Sequence, residues 1–418
     1  MSTDELMIVD KHCLLCVKPA SETTHYIETA NLWGLCETCI GQFADGLLYS
    51  RQEDQKLKST LGYTPADIVE YLDRYIIGQM SAKKTLALAA YQHYKKQTDT
   101  TTRKPQKSNV LLLGPTGSGK TALIGRLAEY LDVPFIIYDA TQLTETGYIG
   151  EDVSDMLATL YRKADNDLAK AQKGIICIDE VDKIHIGNDS KGIGSSGVQR
   201  MLLKTLESNV VQITKGGAKR SSMDDQISFD TTNVLFIGAG AFSDLPAIIQ
   251  KRLQKDNTGM GFISTITSKD SKLEYDEAMQ NVDTDDLVEF GFMPEFMGRF
   301  TNLTHTESIT PEVMKRILIE PADSAFKQTH RLLELDDVEL EITDSAVAQI
   351  AALALKHKTG ARALKVILND VLKDAMFEYP SNIHIVKIVV DFKDTDFEVR
   401  CEDGYEENAD VQQITETA

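Results

Sequence analysis

The sequence predicts an α/β chain: a parallel sheet covered by helices on both faces, followed by a smaller helix-rich domain and preceded by a metal-bound module. Three observations predict it. Four short runs that are almost wholly apolar, NVLLLG, PFIIYDA, GIICIDE and NVLFIGAG, are each flanked by amphipathic stretches, as strands buried on both faces require. Beyond about residue 311 the apolar residues recur at helical spacing behind capping residues. Ahead of residue 51 stand four cysteines in two close pairs.

At roughly 150 residues per domain, a chain of 418 residues holds two to three domains. The cysteine module spans 1–50, and the polar stretch SRQEDQKLKST marks a linker over 51–63. A large domain then covers 64–310 and a small one 311–418. TPADIVEYLDRYI predicts a helix, with Thr64 as N-cap and Pro65 at the first helical position. In the small domain, TPEVMKRILIEPADSAFKQTHRLL and DSAVAQIAALALKHK read as helices and IHIVKIVVDF as a strand. The end, EDGYEENADVQQITETA, is acidic without aliphatic period and predicts a frayed tail.

Composition excludes some functions. With 64 acidic against 44 basic residues the net charge is −20, which disfavours nucleic acid as a partner. No apolar run approaches the ~20 residues that span a bilayer, and the start, MSTDELMIVD, has no basic region followed by an apolar one. The expected compartment is the cytoplasm, with no membrane partner. There, Cys13-x-x-Cys16 followed after nineteen residues by Cys36-x-x-Cys39 reads as a four-thiolate Zn²⁺ site. His12 stands outside a set that four thiolates already fill. Lys18 is the one basic side chain besides histidine between Cys13 and Cys39, too little charge for a phosphate-binding surface.

After the strand NVLLL comes GPTGSGKT, in which Gly114, Pro115, Thr116, Gly117, Ser118, Gly119, Lys120 and Thr121 satisfy the whole G-x-x-x-x-G-K-[ST] pattern. Glycines let successive N–H groups point at phosphate oxygens, Lys120 neutralises the terminal phosphates, and the Thr121 hydroxyl can hold Mg²⁺. The run GIICIDEVDKI carries two carboxylates out at a strand end: Asp179 for Mg²⁺, and Glu180 to orient and deprotonate a water. Together they predict an ATPase. Neither G-x-S-x-G nor H-E-x-x-H occurs, so the chain is not itself a protease.

The order YIIGQ, GPTGSGKT, GYIGED, IICIDEVDKI, MPEFMGRF, TGARAL, behind a four-cysteine module, resembles the ClpX family of AAA+ protein unfoldases from Cys13 to about Pro380. The resemblance implies a homohexamer with ATP sites between neighbours. It further implies that Arg299 is an arginine finger, that Arg362 senses the nucleotide of its own subunit, and that Tyr75, Ile76 and Ile77 pack on adenine. Gly147, Tyr148, Ile149 and Gly150 correspond to the pore loop that grips a translocating chain. Met260, Gly261 and Phe262 stand where the family docks onto a ClpP-type peptidase. The cysteine module would dimerise and recruit adaptors and substrates. The implied function is ATP-dependent unfolding of proteins and their threading into that peptidase; the alternative is a peptidase-independent chaperone or complex-disassembly machine. The chain departs from the family in HIGNDSKGIGSSGVQ, a short loop lacking the usual glutamate, and at Ala218, Lys219 and Arg220, where the entrance loop has lost its histidine.

Overall fold

The computed structural model describes residues 13, 16, 19, 26–28, 34–40, 61–99, 107–143, 152–186, 192–214, 226–257, 271–357 and 359–404. The pore-loop residues Gly147, Tyr148, Ile149 and Gly150 lie outside the described residues, as do Met260, Gly261 and Phe262 and the entrance residues 218–220. The chain divides into two units, Met1–Thr64 and Pro65–Ala418.

In the first unit, β1 (Tyr26–Glu28) pairs antiparallel with β2 (Gly34–Cys36), Tyr26 lying opposite Cys36. Its buried cluster among the described residues is Cys13, Cys36 and Cys39, with Leu35 packed against it. Among the described residues sulfur is thus the core of this module, and a metal bound there would add the stability that a short segment needs.

The second unit opens with helices Pro65–Asp73 and Met80–Gln97. Five strands form its main sheet: β3 (Val110–Leu113), β4 (Phe135–Asp139), β5 (Ile175–Asp179), β8 (Leu235–Gly240) and β9 (Asn302–His305). All are parallel, in the order β4-β5-β8-β3-β9. The four predicted apolar runs are β3, β4, β5 and β8, and all of β3 is buried. In β3, Val110 faces Ile237 and Asn302, while Leu113 faces Gly240 and His305, so the phosphate loop leaves the sheet beside the C-terminal ends of both neighbours. A hairpin of β6 (Val210–Thr214) and β7 (Gln226–Asp230) stands apart from this sheet.

The small domain packs helices Pro311–Ile319, Ala325–Glu334, Asp344–Lys356 and Arg362–Glu378 with a three-stranded sheet. In that sheet β11 (Ile385–Lys393) lies between β10 (Glu339–Ile342), parallel to it, and β12 (Asp396–Asp403), antiparallel. Two local expectations are corrected. The helical run from Thr310 breaks at Pro321, which has no N–H to continue the ladder; Ser324 then starts a second helix by accepting the Lys327 N–H at 3.1 Å. Glu402 and Asp403, read as the start of a frayed tail, instead belong to β12, where they face Lys387 and Ile385. Among the described residues no helix is long and apolar enough to cross a membrane.

Candidate functional site

The phosphate loop joins β3 to the helix Lys120–Leu131, and its glycines take backbone angles that other residues resist: φ is 80° at Gly117 and 93° at Gly119, the N-cap. At Gly114 the limit is space, because an added Cβ would stand 1.8 Å from Thr306 Oγ1. That hydroxyl also meets Ser118 Oγ at 2.7 Å, tying the loop to the segment after β9. Lys120 Nζ donates to the carbonyls of Gly114 at 2.6 Å and Pro115 at 3.0 Å, so the lysine closes the cradle over the helix N-terminus. Burial holds its ammonium below the usual lysine range, against the pull of Asp179 and Asp182.

At the end of β5, Asp179 Oδ2 lies 3.4 Å from Thr121 Oγ1, long for a hydrogen bond between oxygens. A hydroxyl and a carboxylate converging beside a phosphate cradle are hard-oxygen ligands of the type Mg²⁺ takes. Glu180 follows in left-handed backbone at φ 56°, its N–H donated to Asp179 Oδ1 at 2.9 Å. One turn on, Asp182 is buried and accepts the Ala241 N–H at 3.1 Å, which fastens the acidic segment to the end of β8.

Small-domain residues complete the site. A cavity of about 390 Å³, within the range of nucleotide-sized pockets, is lined by Tyr75, Ile76, Ile77, Gly117, Gly119 and Arg362 among others. A Cβ on Gly117 would stand 2.4 Å from the Thr359 carbonyl, so the phosphate loop touches the turn that presents Arg362. The structure therefore brings Tyr75, Ile76, Ile77, the phosphate loop and Arg362 to one cleft. Residues that local sequence does not reveal hold it there. Arg126 stacks on the Tyr75 ring at 4.2 Å and pairs with Asp323, and Gln79 exchanges hydrogen bonds with the Glu307 backbone at 3.0 and 2.7 Å. The one available signal for Arg126 was its place two turns beyond Lys120 on the same helix.

Arg299 is placed elsewhere. It precedes β9, whose first residue pairs with the first residue of β3, so about 10 Å of strand and three further residues separate it from the phosphate-loop end of the sheet. Its carbonyl accepts from Asn109 Nδ2 at 3.1 Å, and its guanidinium pairs with Glu207.

In the N-terminal unit the four sulfurs of Cys13, Cys16, Cys36 and Cys39 lie within 4.8 Å of one another. Cys16 Sγ and Cys36 Sγ are 3.6 Å apart, close to the roughly 3.8 Å edge of a tetrahedron of sulfurs around zinc. The Cys36 N–H donates to Cys13 Sγ at 3.4 Å, as a thiolate ligand invites. Hydrogen bonding to Cys36, then burial, pushes the Cys39 thiol up to about 12, a cost that a bound cation inverts. The donor set fits Zn²⁺.

Two family matches lie end to end on this architecture. Residues 105–303 match the AAA domain (Cdc48 subfamily), and residues 309–389 match the C-terminal, D2-small domain, of ClpB protein. The first takes in the phosphate loop, Asp179, Glu180 and Arg299; the second takes in Arg362. A phosphate loop completed by a small domain of this kind indicates an AAA+ ATPase of the Clp/Hsp100 type.

Proposed function

We propose that this ATPase is a cytoplasmic, homohexameric protein unfoldase that threads its substrates into a ClpP-type peptidase. The observation that carries the reading is the division of the reactive side chains between two ends of one sheet. The phosphate loop, Asp179, Glu180 and Arg362 meet at one end, and Arg299 stands at the other. An arginine that cannot reach its own chain's phosphates serves a neighbour's, which makes turnover a property of an assembly.

ATP with Mg²⁺ supplies the phosphoanhydride and the Lewis acid. The loop N–H groups and Lys120 hold the phosphates, Thr121 and Asp179 hold the metal, and Glu180 orients the attacking water and takes its proton. Arg299 offsets charge on the phosphoryl group of the adjacent subunit, an effect worth about 10³–10⁵ in rate in related NTPases. Tyr75, Ile76 and Ile77 wall the adenine, and Arg362 reports the nucleotide to the small domain. Polypeptide handling rests on the resemblance: Tyr148, between Gly147 and Gly150 and beside Ile149, grips the chain, and Met260, Gly261 and Phe262 dock the peptidase. The Zn²⁺-bound module of residues 1–50 recruits adaptors and substrates, ahead of a linker over 51–63, an ATPase domain over 64–310 and a small domain over 311–418.

ATP-dependent unfolding of a tagged fluorescent protein, with and without a ClpP-type peptidase, tests this. Fluorescence should fall with ATP alone, and the substrate should be degraded only when the peptidase is present. Tyr148→Ala should keep ATPase and lose unfolding, whereas Phe262→Ala should lose the peptidase and keep unfolding. Unfolding that the peptidase never engages would assign a peptidase-independent chaperone or disassembly machine instead. ATP hydrolysis by a monomer, or an assembly that unfolds nothing, would refute the proposal.

A further inference from the structure

At the end of the main sheet away from the phosphate loop, a cavity of about 280 Å³ is lined by Lys96, Lys107, Asn109, Glu207 and Arg299 among others. Lys107 is 9% exposed, yet its Nζ meets no hydrogen-bond partner among the described residues. The ammonium rests over the Phe236 ring at 4.8 Å, a cation–π contact that only partly replaces lost hydration. Burial draws its pKa down to about 7, with Lys96 acting in the same direction and Asp230 against it. Beside it the Arg299 Nε is buried and also without a partner among the described residues, while the outer end of that guanidinium is held by Glu207.

A buried ammonium without a carboxylate costs a fold stability, and apolar replacement of such groups is commonly stabilising. Its placement here makes chemical sense if an anion enters from outside. Arg299, 41% exposed, stands at the rim, and Lys107 lies beneath it. Two cations at graded depth match an oxyanion carrying more than one charge. The acidic group on the described lining is Glu207, and Arg299 already engages it.

We propose that Lys107 is a second cation acting in trans: with Arg299 it receives the terminal phosphate of the ATP held by the neighbouring copy. This rests on the reading of Arg299 given above and adds to it the residue that fixes where that phosphate sits. The same chemistry would accept free phosphate from solution, and the test separates the two sources.

Lys107→Met removes the charge while keeping an unbranched apolar chain over Phe236. Its thermal midpoint should equal or exceed that of the parent chain, and its ATPase should fall at least about tenfold. A purely structural lysine would give the reverse on stability, a lowered midpoint. The deciding measurement mixes subunits. Glu180→Gln copies keep Lys107 and Arg299 but do not turn over their own ATP; Lys107→Met copies keep a complete site of their own. ATPase of the mixture should exceed the summed rates of the separate assemblies, and Arg299→Ala mixed with Glu180→Gln should behave likewise. If only the Arg299→Ala mixture recovers, Lys107 does not act in trans and the proposal fails while the reading of Arg299 stands. If neither recovers, both fail. Inhibition of the parent ATPase by inorganic phosphate that Lys107→Met abolishes, without recovery in its mixture, would assign the cavity to free phosphate and overturn the proposal.

Discussion

Lys83 is a deeply buried charge in the nucleotide-binding half, and its environment fixes the cost of disturbing the Tyr75–Ile77 segment. Its side chain is 1% exposed, with Nζ bonded to Asp73 Oδ1 at 2.6 Å and to the Ile76 carbonyl. This pair clamps the turn that carries Tyr75, Ile76 and Ile77 onto the helix Met80–Gln97. Asp73→Ala leaves a buried ammonium with a single carbonyl. Breaking a fully buried pair costs about 3–5 kcal/mol; because Asp73 is 46% exposed, water can enter behind it, and a smaller cost, about 2–3 kcal/mol, is expected. Lys83→Met removes the charge itself, leaves Asp73 to be hydrated, and should cost about 1 kcal/mol for the lost hydrogen bonds. The double variant should therefore resemble Lys83→Met alone, a coupling of about 2–3 kcal/mol. Urea unfolding and titration with a fluorescent ATP analogue, run on all four proteins, give the cycle. Both single variants should weaken nucleotide binding, Asp73→Ala the more. Equal costs for the two single variants, or additive costs in the double, would show that Lys83 is not the clamp.

Glu180→Gln should keep ATP affinity and slow hydrolysis by about 10²–10⁴-fold, read as phosphate release against equilibrium binding; Glu180→Gly should lose turnover too but gain about 1 kcal/mol in stability, because φ 56° suits glycine. Burial lowers the His93 pKa from 6.5 to about 4, opposed by its bond to the Asn233 carbonyl and assisted by Lys107 and Lys96. The unfolded chain then takes up this proton first, so stability is complete above pH about 6.5 and falls by roughly 3 kcal/mol as pH drops to about 4; urea midpoints across that window should flatten in His93→Gln. One zinc per chain should be found by elemental analysis and lost in Cys36→Ser, whereas oxidation of the four sulfurs to two disulfides would appear as missing free thiols and would exclude the metal site.

The strands that carry the site were legible because each is buried on both faces and so reads apolar from end to end. β9 was not, since NLTH at the sheet edge keeps Asn302, Thr304 and His305 and shows no apolar run. The phosphate loop and the acidic pair are local patterns whose geometry follows from backbone chemistry, and sequence placed them residue by residue. Arg362 and the Tyr75–Ile77 segment lie far from that loop along the chain, and only their motif context pointed to one cleft. Arg126 and Gln79 showed only their place on the phosphate-loop helix and in YIIGQ, and Thr306 and Lys107 left no mark, because what distinguishes each is a partner or a missing partner across the fold. The break at Pro321 was readable in principle: proline on a helical pattern ends the helix even where the apolar spacing runs on.

The same geometry decides where nucleotide state can produce motion. Asn109 sits at the start of β3, accepts the Phe236 N–H and donates to the Arg299 carbonyl, while the other end of β3 becomes the phosphate loop at Gly114. The two ends are thus fixed to one strand whose every residue is buried between β8 and β9, and a shift of one against the other would break the ladder on both sides. Among the described residues the polar ties to the opposite wall of the cleft are few: Arg126 on Asp323, the Ala322 N–H on the Arg74 carbonyl at 2.8 Å, and the contact of Gly117 with Thr359. Polar contacts at a rim exchange with water at little cost, whereas a buried ladder does not. A ligand that touches both walls would therefore move the small domain and leave the sheet rigid, and in the hexamer proposed above Arg299 would reach the next subunit from a fixed frame while rotation is confined to the joint beside Arg362.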